Sequence, residues 1–173
     1  MVYFTLKNGI RLALRQAEEK DYERVQTYIR QLATETIFTK YYPGQPIDSR
    51  DKFNRDIQNG LYYLALEGEK VVGLVSATIL LPEHPWKNKV CRFGIHMLKA
   101  YYHQGLGHQL MDILDAWARS RQLHKIEAIV RDENIPALSL YIQHGFMIEG
   151  FRHDTTLIEG VWHGDYDIGK ILN

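Results

Sequence analysis

Gly105 and Gly107 flank a single leucine in the run Tyr101-Tyr102-His103-Gln104-Gly105-Leu106-Gly107, between a strand-like segment at 90–97 and an amphipathic helix. Glycines at the mouth of a helix let the backbone approach a ligand without Cβ clashes, and the first-turn N–H groups have no intrahelical partner. The helix dipole adds roughly half a positive charge at that end, so a phosphate or pyrophosphate is the natural guest. A plain strand-to-helix turn uses the same spacing. Two phosphate motifs are excluded: a dinucleotide fingerprint needs a further glycine where Leu110 stands, and a Walker loop needs Lys and then Ser or Thr where His108-Gln109 stands.

Other reactive residue types are few. Cys91 is the single cysteine, so no intrachain disulfide can form, and the residue reads as a small apolar member of a strand. His96, His103 and His108 lie around the glycines, yet no carboxylate or thiol completes a set at ligand spacing, and we expect no metal. Lysine plus arginine and aspartate plus glutamate number 21 each, for a formal charge of zero. No block of one sign offers a footprint for nucleic acid or an anionic membrane, so the expected partner is a small molecule. Residues 1–11 lack an apolar signal core, and no apolar run nears the roughly 18 residues of a membrane span, which predicts a cytoplasmic protein. A length of 173 residues with 45% hydrophobic content suits one domain over 1–173.

These groups need elements to hold them. Residues 10–17 alternate apolar and polar types and predict a strand, and 18–34 set Tyr22, Val25, Tyr28, Ile29 and Leu32 on one helical face. Residues 35–49, with Pro43, Gly44 and Pro46 among Phe38, Tyr41 and Tyr42, predict a long loop before a second helix that turns Phe53 and Ile57 inward. The runs 62–67 and 71–81, joined by Glu67-Gly68-Glu69-Lys70, predict an antiparallel hairpin. After the strand at 90–97, the helix behind the glycines keeps Leu106, Leu110, Ile113, Leu114 and Trp117 on one side. A strand follows at 125–130, then a helix at 134–143 presenting Leu138, Tyr141 and Ile142 and stopped at His144-Gly145. Two strands, 146–155 and 161–171, close the chain about Glu159-Gly160, giving a mixed sheet with helices packed on it.

Three segments, in this order, resemble the GNAT acetyltransferases over residues 10–173. Phe93-Gly94-Ile95-His96-Met97 followed by 101–107 is similar to the family's signature strand and pyrophosphate loop, which runs Arg or Gln, two residues, Gly, one residue, Gly or Ala. Tyr102 departs from that pattern, standing where the Arg or Gln usually begins it. Asn134-Ile-Pro-Ala-Leu-Ser-Leu-Tyr-Ile-Gln-His-Gly-Phe146 resembles the family's Asn…Ala…Leu-Tyr…Gly-Phe helix. The tail, from Glu149-Gly150-Phe151-Arg152 through Glu159-Gly160 to Asp165-Tyr166-Asp167, looks like the branch of small-amine, amino-acid and ribosomal-protein N-acetyltransferases. The resemblance implies an α/β fold of the α+β type, the GNAT acyl-CoA N-acyltransferase fold, with a mostly antiparallel seven-stranded sheet and about four helices. It also implies acetyl-CoA as cosubstrate.

By this resemblance the amides of Gln104, Gly105, Leu106, Gly107 and His108 hold the coenzyme's pyrophosphate, and a bulge near Ile95 to Met97 frees backbone groups for the pantetheine amides. Acetyl transfer to an amine needs a neutral amine, donors for the developing oxyanion and a proton for the departing thiolate. Neutralising a lysine-like amine of pKa about 10.4 at pH 7 costs roughly 4.6 kcal/mol at about 1.36 kcal/mol per unit. The Met97 N–H is the oxyanion donor implied. Tyr141 matches the family's general-acid tyrosine, while the same Leu-Tyr pair also fits an apolar packing stripe. Asn134 either bonds the coenzyme or caps its helix.

The base is less defined. Arg92 occupies a position where relatives often carry glutamate, and Ile129 one where ribosomal alanine acetyltransferases place theirs. Glu127 shares a strand face with Ile129 and either works through water or is an ion-paired strand glutamate; His96 and His84 are weaker candidates. The acceptor is expected between 35–45 and the closing hairpin, with Glu35 attracting an ammonium, Tyr41 or Tyr42 walling the pocket, and Arg92 suiting an acceptor carboxylate. The expected activity is acetyl transfer from acetyl-CoA to a primary amine of a polyamine, an amino acid or a protein N-terminus. The alternative is a non-catalytic acyl-CoA-binding regulatory module of the same fold. Exposed aromatics also suit a homodimer.

Overall fold

The computed structural model describes residues 1–172. Its strands are β1 Val2–Thr5, β2 Arg11–Gln16, β3 Leu61–Glu67, β4 Lys70–Ile79, β5 Val90–Met97, β6 Lys125–Arg131, β7 Met147–Ile158 and β8 Val161–Ile171. The α-helices are α1 Tyr22–Glu35, α2 Arg50–Asn59, α3 Leu106–Ser120 and α4 Ile135–Gln143, with short 3-10 turns at Glu19–Asp21 and Lys99–Tyr101. The strands follow the order β1-β2-β3-β4-β5-β6-β8-β7 in an 8-stranded sheet, so the expected seven-stranded sheet is corrected by one strand. That strand is β1, which pairs antiparallel with β2 from Val2↔Leu14 to Thr5↔Arg11. Its signal was Asn8-Gly9, a hairpin dipeptide: Gly9 takes φ +90°, and the Asn8 side chain accepts from the Ile10 N–H at 3.1 Å.

The chain forms two compact units. One comprises Met1–Thr78 with Gly94–Trp117. There β2 pairs antiparallel with β3, and β3 with β4. Leu12, Leu14, Leu64, Val72, Val75, Leu106, Leu110 and Leu114 are buried, and α1 adds Val25, Tyr28, Ile29 and Leu32. The Ser49 side chain caps α2 by accepting from the Lys52 N–H, and Phe53 packs 5.7 Å from Tyr22 and 5.3 Å from Tyr62, centroid to centroid. In α3 the inward stripe differs from the expectation at two places. Met111 and Ala118 are fully buried while Ile113 and Trp117 are half-buried, because the i, i+4 row continues through residues one place further round the helix.

The other unit comprises Ile79–Phe93 and the chain from Ala118 onward. Here β5 runs parallel to β6 in the register Val90↔Lys125, Cys91↔Ile126, Arg92↔Glu127, while β6 and β7 both pair antiparallel with β8. Glu159 and Gly160 take φ of 50° and 83°, the double positive turn that suits a tight hairpin. In α4, Tyr141 faces in and Ile142, expected beside it, is exposed. Gly145 follows the helix at φ +84°, ending it as expected. Cys91 is fully buried.

Candidate functional site

From the end of β5 the chain makes one 3-10 turn and enters the glycine loop. Leu98 N–H donates to the Val72 carbonyl at 2.9 Å, which fixes the strand exit against β4. Gly73 on β4 permits this approach: a Cβ there would lie 3.1 Å from Leu106 Cδ2 and 3.3 Å from Met97 Cβ. His103 and Gly105 both adopt positive φ, 59° and 90°, and turn the backbone into α3. The first helical hydrogen bond runs from Gln109 N–H to the Gly105 carbonyl at 3.3 Å, so the amides of Leu106 and Gly107 lie ahead of the ladder, at the positive end of a 15-residue helix.

Two supports of this loop were not read from the sequence. Gln104 is held by the N-terminal hairpin, its carbonyl accepting from Lys7 N–H at 3.3 Å and its side-chain oxygen from Asn8 N–H at 3.1 Å. Glu35, expected to attract an ammonium, bridges protein groups. Its Oε1 accepts from Gln31 Nε2 and its Oε2 from the Lys99 N–H, both at 2.8 Å, tying the end of α1 to the turn before the glycines. Nothing in local periodicity signals the second bond, since its partners lie 64 residues apart. Tyr101 OH donates to Glu67, and burial followed by that carboxylate pushes the phenol up to about 12.

On the same unit Tyr41 lies 6.3 Å from the His96 ring, with Lys40 Nζ 5.0 Å over its face. Burial, with a smaller contribution from Lys40, holds His96 down to about 4, so its imidazole is neutral near pH 7. Tyr42 is exposed, and its N–H donates to the Gln45 side chain at 3.0 Å. Tyr41 and Tyr42 share a pocket of about 310 Å³ with Ile29, Arg30, Ala33 and Ile47.

The other unit carries the remaining candidates. Arg92 and Glu127 face each other across the parallel pair, Nη2 at 2.5 Å and Nε at 3.1 Å from one carboxylate oxygen. Ile129 is 43% exposed and offers no acid group. Asn134 Oδ1 accepts from Ala137 N–H at 3.3 Å and caps α4. Tyr141 is buried with its ring edge-on to Phe93 at 5.3 Å and tilted against Phe146 at 6.0 Å, and burial raises its phenol above the ordinary range. His84 Nδ1 accepts from the Trp86 N–H at 3.2 Å.

The model of the acetyltransferase (GNAT) family matches residues 28–146. The chain belongs to the acetyltransferase (GNAT) family. As a GNAT member it is an N-acetyltransferase, and its α/β sheet and four helices are those of the family. It is 26% identical over 166 residues to the L-amino acid N-acetyltransferase of Escherichia coli (strain K12), spanning 92% of this chain and 98% of that protein. It superposes on the acetyltransferase of GNAT family from Streptococcus pneumoniae with a TM-score of 0.86, at 25% identity and covering 94% and 99% of the two chains. Against a GNAT superfamily phosphinothricin acetyltransferase from Sinorhizobium meliloti in complex with acetyl-CoA, the TM-score is 0.80, with 17% identity and coverage of 94% and 89%.

Proposed function

We propose that residues 1–173 act as one acetyltransferase domain that moves the acetyl group of acetyl-CoA to the primary amine of a small molecule, a polyamine or an amino acid, or of a protein N-terminus. One observation carries this reading: Gly105, at φ +90°, delivers the backbone into the first turn of α3 ahead of its hydrogen-bond ladder. In it, the amides from Gln104 to His108 take the pyrophosphate, and backbone groups of Ile95 and Met97 take the pantetheine. Asn134 adds a side-chain contact while capping its helix. The neutral amine attacks the thioester carbonyl directly, the Met97 N–H meets the developing oxyanion, and the C–S bond breaks as Tyr141 gives its proton to the thiolate. Glu127 receives the amine's proton through water. Tyr41, Tyr42, Glu35 and Arg92 border the acceptor.

The second reading, a regulatory module that binds acyl-CoA without turnover, is favoured by the Arg92–Glu127 ion pair, which engages the candidate base. Calorimetry with acetyl-CoA and coenzyme A, followed by thiol release with polyamines, amino acids and peptide N-termini, separates the two. Turnover supports the enzyme, binding alone supports the module, and no association at millimolar coenzyme overturns both. A cytoplasmic location goes with this reading, and among the described residues no helix is long and apolar enough to cross a membrane. So does a homodimer, with the apolar residues of the β7–β8 hairpin as its surface.

A further inference from the structure

The segment 36–49 returns along α1 and is tied to it near its far end. There the Asp48 carbonyl accepts from Tyr22 OH at 3.1 Å and from Gln26 Nε2 at 3.3 Å, both on the helix. Further back the segment bonds to itself. Gln45 N–H donates to the Tyr42 carbonyl at 3.3 Å, and Tyr42 N–H donates to Gln45 Oε1 at 3.0 Å. Pro43 and Gly44 stand between them, Gly44 at φ +82°, which is the pattern of a type II turn. A turn closed from both sides keeps its shape without help from the helix. The pocket of about 310 Å³ has this turn as one wall and Ile29, Arg30, Ala33 and Thr34 of α1 as the other.

Size and lining both describe a small-molecule site. Such pockets begin at roughly 300 Å³ and are mostly apolar with a few placed polar groups. A cavity of about 150 Å³ takes benzene, so this one takes a body about twice that size. Ile29 and Ala33 are buried, and Ile47, Pro43 and the two tyrosine rings continue the apolar lining. Arg30 is the one charged side chain of that lining among the described residues, and its guanidinium has no ion pair or hydrogen bond with any of them. Cations on either side are engaged: Lys40 and Lys52 reach Asp48 at 3.8 and 3.1 Å, and Arg50 pairs with Glu23 at 2.8 Å. An unpaired guanidinium beside an apolar wall suits a planar anion, which it meets with two parallel N–H donors. An ammonium finds no acid in the lining and a like charge at its edge.

We propose that the pocket between α1 and the Tyr42–Gln45 turn binds a small aromatic carboxylate, its rings against Ile29, Ala33, Tyr41 and Ile47 and its carboxylate paired with Arg30. The inference goes beyond the acetyl-transfer reading and needs no turnover. Its anion chemistry differs from that of the glycine loop, which in that reading holds a pyrophosphate with backbone amides, whereas here a side chain holds a carboxylate. Tyr41 also meets the His96 ring of β5 at 6.3 Å, so one aromatic wall serves both the pocket and that strand.

The test is calorimetry on the intact protein with 2-naphthoate, the neutral 2-naphthylmethanol and the cationic 2-naphthylmethylamine, each with and without saturating coenzyme A. The expected result is one naphthoate per chain with a submillimolar Kd, the alcohol roughly tenfold weaker, the amine weaker still, and the same naphthoate affinity when coenzyme A is present. Arg30→Gln is expected to weaken naphthoate roughly tenfold and to leave the alcohol unchanged. Thr34→Trp, which fills the pocket from an exposed helical position, is expected to abolish both. Arg30 is exposed as well, and thermal unfolding without ligand checks that both variants fold. No association of naphthoate at millimolar concentration overturns the proposal, as do equal affinities for the three probes, displacement by coenzyme A, indifference to Arg30→Gln, or binding that persists in Thr34→Trp. Failure of the chain to acetylate any amine counts against the acetyl-transfer reading and leaves this one standing.

Discussion

Tyr141 is packed so that its hydroxyl can be tested apart from its ring. Its ring is wedged between Phe93 and Phe146, so Tyr141→Phe keeps the contacts and deletes only the hydroxyl. If that hydroxyl protonates the departing thiolate, kcat falls by about 10²-fold or more while affinity for acetyl-CoA stays within about twofold, as steady-state kinetics beside calorimetry will show. A purely packing tyrosine leaves kcat unchanged. Asp21 makes a different kind of prediction. Its carboxylate is fully buried and accepts from the Nη1 and Nη2 of Arg15, at 2.6 and 2.7 Å. Burial pushes its pKa up, but the Arg15 hydrogen bonds, the Glu18 N–H and the nearby Arg24 outweigh that and hold it below the ordinary carboxylate range. The folded value lies under the unfolded one, so the stabilisation is complete at neutral pH and is lost as the pH falls through the folded value. Asp21→Asn is expected to cost about 3 kcal/mol in urea unfolding at pH 7 by stranding Arg15, and to flatten the acid limb of stability.

At the scale of elements, the glycine loop is held by pieces distant in sequence, and this limits what the sequence discloses. The i, i+4 row Leu106, Leu110, Leu114 marks α3 plainly, and the Glu159-Gly160 turn marks the closing hairpin, because both signals are local. The Gly105 turn into α3, at φ +90°, was legible for the same reason. Its supports were not: Lys7 and Asn8 reach Gln104, and Glu35 reaches Lys99, through backbone groups that leave no periodic trace. The loop's geometry yields its own prediction. A Cβ added to Gly105, at φ +90°, would meet Phe4 Cζ only at ordinary contact, 3.5 Å away, so alanine there suffers from backbone conformation rather than crowding. Gly105→Ala is expected to weaken acetyl-CoA binding about tenfold by calorimetry, corresponding to about 1–2 kcal/mol of αL strain.

Across the whole molecule, apolar side chains gather on the closing hairpin. Leu157 and Trp162, directly opposite each other on one face of the β7–β8 pair, are 54 and 58% exposed. Patches of this kind on a protein of zero formal charge favour self-association. Sedimentation is expected to return a dimer for the wild type and a monomer for Trp162→Glu, whereas a monomeric wild type rejects the hairpin as an interface. The lone thiol of the chain has a practical bearing on all the assays above. Cys91 is sealed in β5, and burial, with the Glu127 charge, pushes its pKa up to about 12. A chromogenic disulfide reagent added during turnover therefore meets no reactive sulfhydryl on the native catalyst, so its colour reports coenzyme release with a negligible protein blank, and the reagent leaves the enzyme unmodified.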